Sequence, residues 1–283
     1  MKGLLLQPIT EGQVENFIKS PSHALMLVGS RGSGKGSLSR GLAELILEVS
    51  SLNDYPYKLI IEPDNGKSIG IEPIRQLEHF FSLKVPRTAA YQRVVIIEEA
   101  HKLTLEAQNA LLKTLEEPPS GTLMILNSNY EQALQPTIRS RTQIINVKSP
   151  DQTALTEFFK ERGFSETKIN QVYAISGGLL GLMQALLEDA DHPLLKATDQ
   201  ARRLLASSTY ERLIMVDELS KQPELASDTI FILQQMAHVS LQKAGDQSAR
   251  RWQAILKAGF QASTDLASNA QPKLALTNLC LSF

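Results

Sequence analysis

The sequence has 283 residues, 42% hydrophobic and 21% charged, and at about 150 residues per domain this length predicts two domains. Its 29 Lys and Arg residues nearly balance its 30 Asp and Glu residues, which excludes a strongly basic DNA-coating protein and an acidic solvating tail. One cysteine, Cys280, no apolar run of membrane-spanning length and a first decapeptide that makes a poor signal peptide together predict a cytoplasmic protein without disulfides.

The first half of the chain alternates short apolar runs with helical patterns. Continuous apolar runs are typical of strands buried on both faces of a parallel sheet, and five of them occur, at 24–28, 58–62, 93–97, 122–127 and 143–147. Apolar residues at helical spacing between these runs predict helices near 38–49, 74–81 and 107–115, the last with Thr104 as its N-cap. The alternation predicts an α/β layer with helices on both faces.

The second half of the chain has no strand signal. Three short helices are predicted at 151–162, 166–175 and 178–189, followed by amphipathic helices at 193–206, 209–221, 224–244, 247–268 and 272–282. We therefore predict three domains: an α/β domain over 1–149, a three-helix domain over 150–191 and a helical bundle over 192–283.

A glycine-rich segment joins the first predicted strand to the first predicted helix. Its spacing is that of a phosphate-binding loop, G-x-x-x-x-G-K, and its residues are Gly29, Ser30, Arg31, Gly32, Ser33, Gly34 and Lys35. Glycines allow backbone N–H groups to turn around a phosphate at the helix N-terminus, and the lysine adds a cation. The alternative is a glycine-rich turn with a solvated lysine, but the strand–loop–helix context favours a nucleotide site.

The residue after the loop lysine departs from the usual pattern. Gly36 stands where a Ser or Thr hydroxyl would hold Mg²⁺. Ser37 is one position later, and the helix turns its side chain about 100° away, which makes it a doubtful substitute. Nucleotide binding is compatible with this change, whereas metal-dependent hydrolysis is put in question.

Two carboxylates follow the third predicted strand. Glu98 and Glu99 stand at its carboxyl end, where open parallel sheets form their ligand crevice. One acid would hold Mg²⁺ through water and the other would orient an attacking water. Two acids at the exposed start of a turn are the alternative, and the phosphate loop favours the nucleotide interpretation.

With these motifs in place, the chain resembles the clamp-loader branch of the AAA+ ATPases. The resemblance lies in VVIIEEAHKLTLEAQNALLKTLEEPPSGTLMIL, residues 94–126, and in LQPTIRSRT, residues 134–142. It implies a P-loop α/β/α domain with a five-stranded parallel sheet, a three-helix lid and a C-terminal helical collar that holds related subunits in a ring.

The resemblance also implies which kind of subunit this is. Gly36 lacks the hydroxyl, Glu98 replaces the usual metal-binding Asp, and Gly181 stands where a hydrolysing relative has its sensor Arg. Each change removes one part of phosphoryl-transfer chemistry. We expect ATP or ADP binding to be weak or absent in this chain, with Mg²⁺ present only alongside a nucleotide, no ATPase turnover of its own and no zinc module.

Arg141, in the triplet Ser140-Arg141-Thr142, corresponds to the family's arginine finger, which reaches the nucleotide of the neighbouring subunit. A guanidinium supplied in trans stabilises the transferring phosphoryl group and contributes on the order of 10³–10⁵ in rate. The family places a polar sensor for the terminal phosphate at the end of the fourth strand, and either Ser128 or Asn129 could carry this role.

The resemblance implies a non-hydrolysing subunit of the DNA polymerase III holoenzyme, a nucleotidyltransferase complex that uses ATP to place a sliding clamp on primed DNA. Its partners would be the motor and clamp-opening subunits, the sliding clamp and primed DNA, without any membrane. One alternative is an active AAA+ motor subunit, and another is an AAA+-like scaffold outside replication.

Overall fold

A computed structural model describes residues 5–64, 68–85, 90–188, 191–192, 194–243, 245–267 and 270–282. The chain divides into two compact units, Met1–Ser149 and Pro150–Phe283.

The first unit is built on a five-stranded parallel sheet, as the sequence predicts. The strands are β1 (Ala24–Val28), β2 (Lys58–Ile61), β3 (Arg93–Ile97), β4 (Thr122–Ser128) and β5 (Gln143–Asn146). They lie in the order β2-β3-β4-β1-β5, and all neighbours are parallel. The three central strands are almost entirely buried because their apolar runs are covered on both faces, and each predicted strand is confirmed to within one residue at either end.

Helices cover both faces of this sheet. They are α1 (Pro8–Lys19), α2 (Lys35–Leu47), α3 (Ile71–Ser82), α4 (Leu105–Glu116) and the short α5 (Pro136–Arg139). Buried residues of α1 and α2 share one hydrophobic cluster with the sheet, and those of α3, α4 and α5 share another. Thr104 caps α4 by accepting a hydrogen bond from the Ala107 N–H at 3.2 Å, which confirms its predicted role.

Helix α1 was not among the predicted elements. Val14 and Phe17 are buried one turn apart, and Pro8 begins the helix at a position where its missing N–H costs nothing. Thr10 is also buried, and its hydroxyl donates to the Asn146 carbonyl at the end of β5 and accepts from the Lys148 N–H. Helix α1 is therefore fixed to the edge strand by one side chain as well as by apolar packing.

The strand order determines where a ligand could bind. Because β1 lies between β4 and β5, the chain reverses its direction of progress through the sheet at this strand. In such sheets the crevice at the carboxyl ends of the strands is the usual binding site. The segments after β1, β3 and β4 meet at this edge, since these strands are parallel neighbours.

The second unit is entirely helical in its described part. Its helices are α6 (Gln152–Glu161), α7 (Glu166–Ser176), α8 (Leu180–Glu188), α9 (Leu195–Ala206), α10 (Thr209–Leu219), α11 (Pro223–Lys243), α12 (Asp246–Ala267) and α13 (Pro272–Leu281). All eight predicted helices are found, although the predicted ends at 189, 193, 244 and 268 lie outside the described residues. No helix in the described part of the chain is both long enough and apolar enough to cross a membrane.

One hydrophobic cluster runs through most of this unit. It contains Leu182 of α8 together with Ala201 of α9, Ile230 of α11 and Leu276 of α13. The predicted division into a lid over 150–191 and a collar over 192–283 stays a prediction. Cys280 is buried in this cluster, and burial raises the pKa of its thiol to about 11, as befits a packing residue.

A buried arginine ties three helices of this unit together. Arg212 of α10 donates through Nε to the Leu204 carbonyl at 3.0 Å and through Nη1 to the Cys280 carbonyl at 3.3 Å. Both carbonyls lie in the last turn of a helix, α9 or α13, where they lack a partner within the helix. A cation is also favoured at these helix ends by the helix dipole.

Replacing Arg212 by alanine should therefore destabilise the second unit. We expect a loss of about 2–4 kcal/mol in the free energy of unfolding, since two buried carbonyls lose their donor. Urea unfolding followed by the fluorescence of Trp252, the one tryptophan of the chain, measures this loss. Arg203→Ala, at an exposed position of α9, is the matched control and should change stability by less than about 0.5 kcal/mol. Equal effects of the two variants would contradict the role of Arg212.

Candidate functional site

The phosphate-loop sequence forms the connection between β1 and α2. Gly32 and Gly34 have positive φ angles of 77° and 91°, and Gly34 is the N-cap of α2. The left-handed backbone at these positions favours glycine and brings the loop onto the helix N-terminus. Gly29 is required for a different reason, because a β-carbon there would lie 2.4 Å from the Val147 carbonyl oxygen.

Lys35 is held inside the loop. Its Nζ donates to the Gly29 carbonyl at 2.6 Å, to the Ser30 carbonyl at 2.9 Å and to Oδ1 of Asn129 at 3.1 Å. The residue is 8% exposed, and burial lowers its pKa to about 8 against the opposing effect of the Glu98 carboxylate. The site therefore has a buried cation whose protonation changes in the mildly alkaline range.

The two carboxylates after β3 point to different partners. Glu98 accepts a hydrogen bond from Nδ2 of Asn127 at 2.7 Å, and its Oε1 lies 3.6 Å from Nη2 of Arg40. Glu99 has a left-handed backbone, with φ of 48°, and pairs with Lys102 at 2.8 Å. Glu98 is therefore the acid that contacts α2, whereas Glu99 is engaged within its own turn.

The two sensor candidates at the end of β4 differ in their surroundings. Asn129 contacts Lys35, and it also contacts the ring of His101 through its backbone N–H at 3.3 Å and its Nδ2 at 3.2 Å. Ser128 instead donates to the Tyr130 carbonyl at 2.8 Å. Ser128 contacts the phosphate loop only through its backbone carbonyl, which accepts from the Gly29 N–H at 3.1 Å, so Asn129 is the candidate whose side chain contacts the loop.

His101 supports this arrangement as a neutral side chain. Burial lowers its pKa to about 4, so the ring is uncharged near neutral pH. The ring also forms a T-shaped contact with the Tyr130 ring, with centroids 5.7 Å apart. The His101 ring therefore contacts both Asn129 and Tyr130.

Gly36 and Ser37 fall on different sides of α2. Ser37 is exposed, as its rotation along the helix predicts. A β-carbon at position 36 would lie 3.4 Å from Oε1 of Glu98. A hydroxyl at position 36 would therefore face Glu98, where the fold family holds Mg²⁺, and this chain has no such hydroxyl.

Arg141 lies away from the phosphate loop of its own chain. It stands two residues before β5, whose first residue, Gln143, is paired with Leu25 of β1. The phosphate loop follows the opposite end of β1. Arg141 and the loop are therefore separated along the strands by the length of a four-residue strand, roughly 13 Å. The guanidinium is partly exposed, pairs with Glu116 of α4 at 2.8 Å and donates to the Thr137 carbonyl at 3.1 Å.

Three residues of this site were not found from the sequence. Arg40 contacts Glu98, and Asn127 bridges Glu98 and the Ser39 hydroxyl, the latter at 3.1 Å. The spacing held a signal for Arg40, since it lies four residues after Gly36 and therefore on the same helix face. Asn127 and Ser39 are recognisable only once β4 and α2 are brought together.

Comparisons with known proteins find relatives among the subunits of DNA polymerase III. The family described as "DNA polymerase III, delta subunit" matches residues 13–151. DNA polymerase III subunit delta' of Haemophilus influenzae is 29% identical over 179 residues, 58% of this chain and 54% of that protein. DNA polymerase III subunit tau of Bacillus subtilis is 27% identical over 260 residues, 77% of this chain and 46% of that protein. The chain thus spans about half the length of these relatives.

A solved structure extends the likeness of fold to both units. It is that of a DNA polymerase III, gamma subunit-related protein from Thermotoga maritima, with a TM-score of 0.55 and 20% sequence identity. The match covers 95% of this chain and 97% of that one.

The parallel sheet, the phosphate loop at the end of β1 and the helical second unit give this chain the fold of the AAA+ proteins. The relatives identify the branch more closely. The matched family model and the delta' relatives support a delta-prime-like clamp-loader subunit of DNA polymerase III.

The lowered pKa of Lys35 makes a testable prediction about stability. The ordinary lysine pKa of 10.5 applies to the unfolded chain, so the folded chain loses this proton first as the pH rises through about 8. The unfolded state then binds more protons, and the free energy of unfolding increases with pH. Relative to that of Lys35→Met, the free energy of unfolding of the native chain should increase by on the order of 1–2 kcal/mol between about pH 7 and about pH 9.5.

Urea unfolding of both proteins, followed by circular dichroism across this pH range, provides the measurement. Lys102→Met is the control, because Lys102 is a more exposed lysine that pairs with Glu99. A stability difference between native chain and Lys35→Met that does not change with pH would contradict the burial of a charged Lys35.

Proposed function

We propose that this chain is a non-hydrolysing subunit of the DNA polymerase III clamp loader, and that it lends Arg141 to a nucleotide bound by the neighbouring subunit. The position of Arg141 carries this proposal. It stands before β5, at the amino ends of the strands, whereas the phosphate loop of its own chain follows the carboxyl end of β1. A nucleotide that Arg141 serves therefore belongs to another subunit. A guanidinium in that position makes hydrolysis depend on assembly.

The contacts of Arg141 suit such a role. Its ion pair with Glu116 and its bond to the Thr137 carbonyl hold a partly exposed guanidinium at the surface of the first unit. An exposed ion pair contributes little to stability, so the guanidinium can exchange a carboxylate for a phosphate at small cost. Guanidinium groups bind both anions with the same two-pronged geometry.

The chain's own loop supports the absence of turnover. Gly36 brings no hydroxyl to Glu98, and Glu99, the acid that would orient water, is paired with Lys102. Two of the groups that phosphoryl transfer needs are therefore missing or otherwise engaged. ATP or ADP would bind weakly or not at all, through the backbone of residues 29–34 and Lys35.

The remaining partners follow from this role. We propose that the chain assembles with the motor and clamp-opening subunits of a cytoplasmic clamp loader. The assembly would use ATP to place a sliding clamp on primed DNA, and the chain would act as its stationary member.

Substituting the finger tests the proposal. In a clamp loader reconstituted with its cognate motor and clamp-opening subunits, Arg141→Ala should lower DNA-dependent ATPase activity by well over about tenfold, because the transferring phosphoryl group loses its cation. Lys113→Ala, an exposed cation on α4, is the control and should leave the activity unchanged. Both variants should co-elute with the other subunits in size-exclusion chromatography. Unchanged ATPase activity in an assembled Arg141→Ala complex would refute the finger.

The alternative, an active motor subunit, is favoured by one observation, namely an otherwise complete phosphate loop with Lys35 in place. The two functions differ in the activity of the isolated chain. We expect no ATP hydrolysis above background from the purified chain at millimolar ATP and Mg²⁺. Turnover that disappears in Lys35→Ala would establish the motor instead.

A further inference from the structure

The fold family implies Mg²⁺ at the phosphate loop, and the residues of this chain do not fit it. The metal is normally held by a hydroxyl directly after the loop lysine and by an acid at the end of the neighbouring strand. Position 36 does face the acid, since a β-carbon there would lie 3.4 Å from Oε1 of Glu98, but the residue is glycine. One of the two protein ligands is therefore absent.

A positive side chain lies in the same place. Arg40 follows Gly36 by one helical turn of α2, so the two share a helix face. Its Nη2 is 3.6 Å from Oε1 of Glu98, and its Nη1 would be 3.6 Å from a β-carbon at position 36. The guanidinium thus lies close both to the acid and to the position that normally supplies the hydroxyl.

The other oxygen of Glu98 is also engaged. Its Oε2 accepts from Nδ2 of Asn127 at 2.7 Å. The same amide contacts the Ser39 hydroxyl, which in turn donates to the Gly36 carbonyl at 2.9 Å. Asn127 and Ser39 are buried, so this part of the network fixes the Glu98 carboxylate against α2. A divalent cation would have to displace the Arg40 guanidinium from Glu98 and would find no hydroxyl at position 36.

We propose that the Arg40 guanidinium replaces the divalent cation of the phosphate loop. It neutralises Glu98, and a phosphate bound by the loop would meet two protein cations, Lys35 and Arg40, instead of a lysine and a metal ion. The ligand class is a nucleoside diphosphate or triphosphate free of metal. This inference goes beyond the proposed function and does not depend on Arg141.

Binding of Mn²⁺, a paramagnetic substitute for Mg²⁺, tests the proposal without requiring activity or nucleotide. Electron paramagnetic resonance of free Mn²⁺ should show no uptake by the full native chain beyond that of its Glu98→Gln variant. The double variant Gly36→Ser/Arg40→Ala should bind one Mn²⁺ per chain at least about tenfold more tightly than the native chain, because a hydroxyl and a free carboxylate now face each other. Adding Glu98→Gln to it should remove this site.

Control variants separate the proposal from an ordinary surface ion pair. Arg40→Lys retains a cation and should exclude Mn²⁺ as the native chain does. Arg75→Ala opens a comparable Arg–Glu pair, with Glu72 on α3, and should create no site. Circular dichroism establishes that each variant is folded, and Arg40→Ala alone carries the test if the double variant does not fold. Uptake of Mn²⁺ by the native chain through Glu98, or no gain on removal of Arg40, would overturn the proposal.

Nucleotide binding supplies a second readout. Isothermal titration of ADP should give the native chain the same affinity, within about twofold, in Mg²⁺ and in EDTA. Gly36→Ser/Arg40→Ala should bind ADP at least about fivefold more tightly in Mg²⁺. A native affinity that rises strongly with Mg²⁺ would contradict the replacement, and a chain that binds no ADP would overturn the assignment of a metal-free nucleotide as the ligand.

Discussion

The direction of the strands in a parallel sheet is the constraint on which both functional regions depend. The segments after β1, β3 and β4 leave the sheet at the carboxyl ends of the strands, which brings Lys35, Glu98 and Asn129 within reach of one another. The segment before β5 enters the sheet at the amino ends of the strands and carries Arg141. One chain therefore presents a phosphate loop and a guanidinium that cannot serve the same nucleotide, as the role proposed for Arg141 requires.

Much of the fold could be predicted because its signals are local. Each strand is a continuous apolar run, and Thr104 and the glycine-rich loop mark helix starts by side-chain and backbone chemistry that needs no tertiary partner. Helix α1 gave a misleading pattern. Its apolar Ile9 is exposed, whereas its polar Thr10 is buried because the Thr10 hydroxyl hydrogen-bonds to backbone groups near β5.

The candidate site was predictable only in part for a related reason. A loop motif is contiguous, so residues 29–35 were found from spacing alone, whereas the choice between Ser128 and Asn129 depends on which side chain turns towards Lys35. Arg40 and Asn127 acquire their meaning from Glu98, which lies far from both in sequence. The missing hydroxyl at Gly36 can be recognised in the sequence alone. That Arg40 lies near Gly36 and Glu98 can be recognised only in the folded chain.

The hydroxyl of Thr10 has a consequence for the outer side of β5. An outer strand normally leaves a row of backbone donors and acceptors with which a strand of another molecule can pair. Here a single hydroxyl takes up the Asn146 carbonyl and the Lys148 N–H, just where a sixth strand would begin to add. Continuation of the sheet into a second molecule is therefore hindered at the carboxyl end of β5.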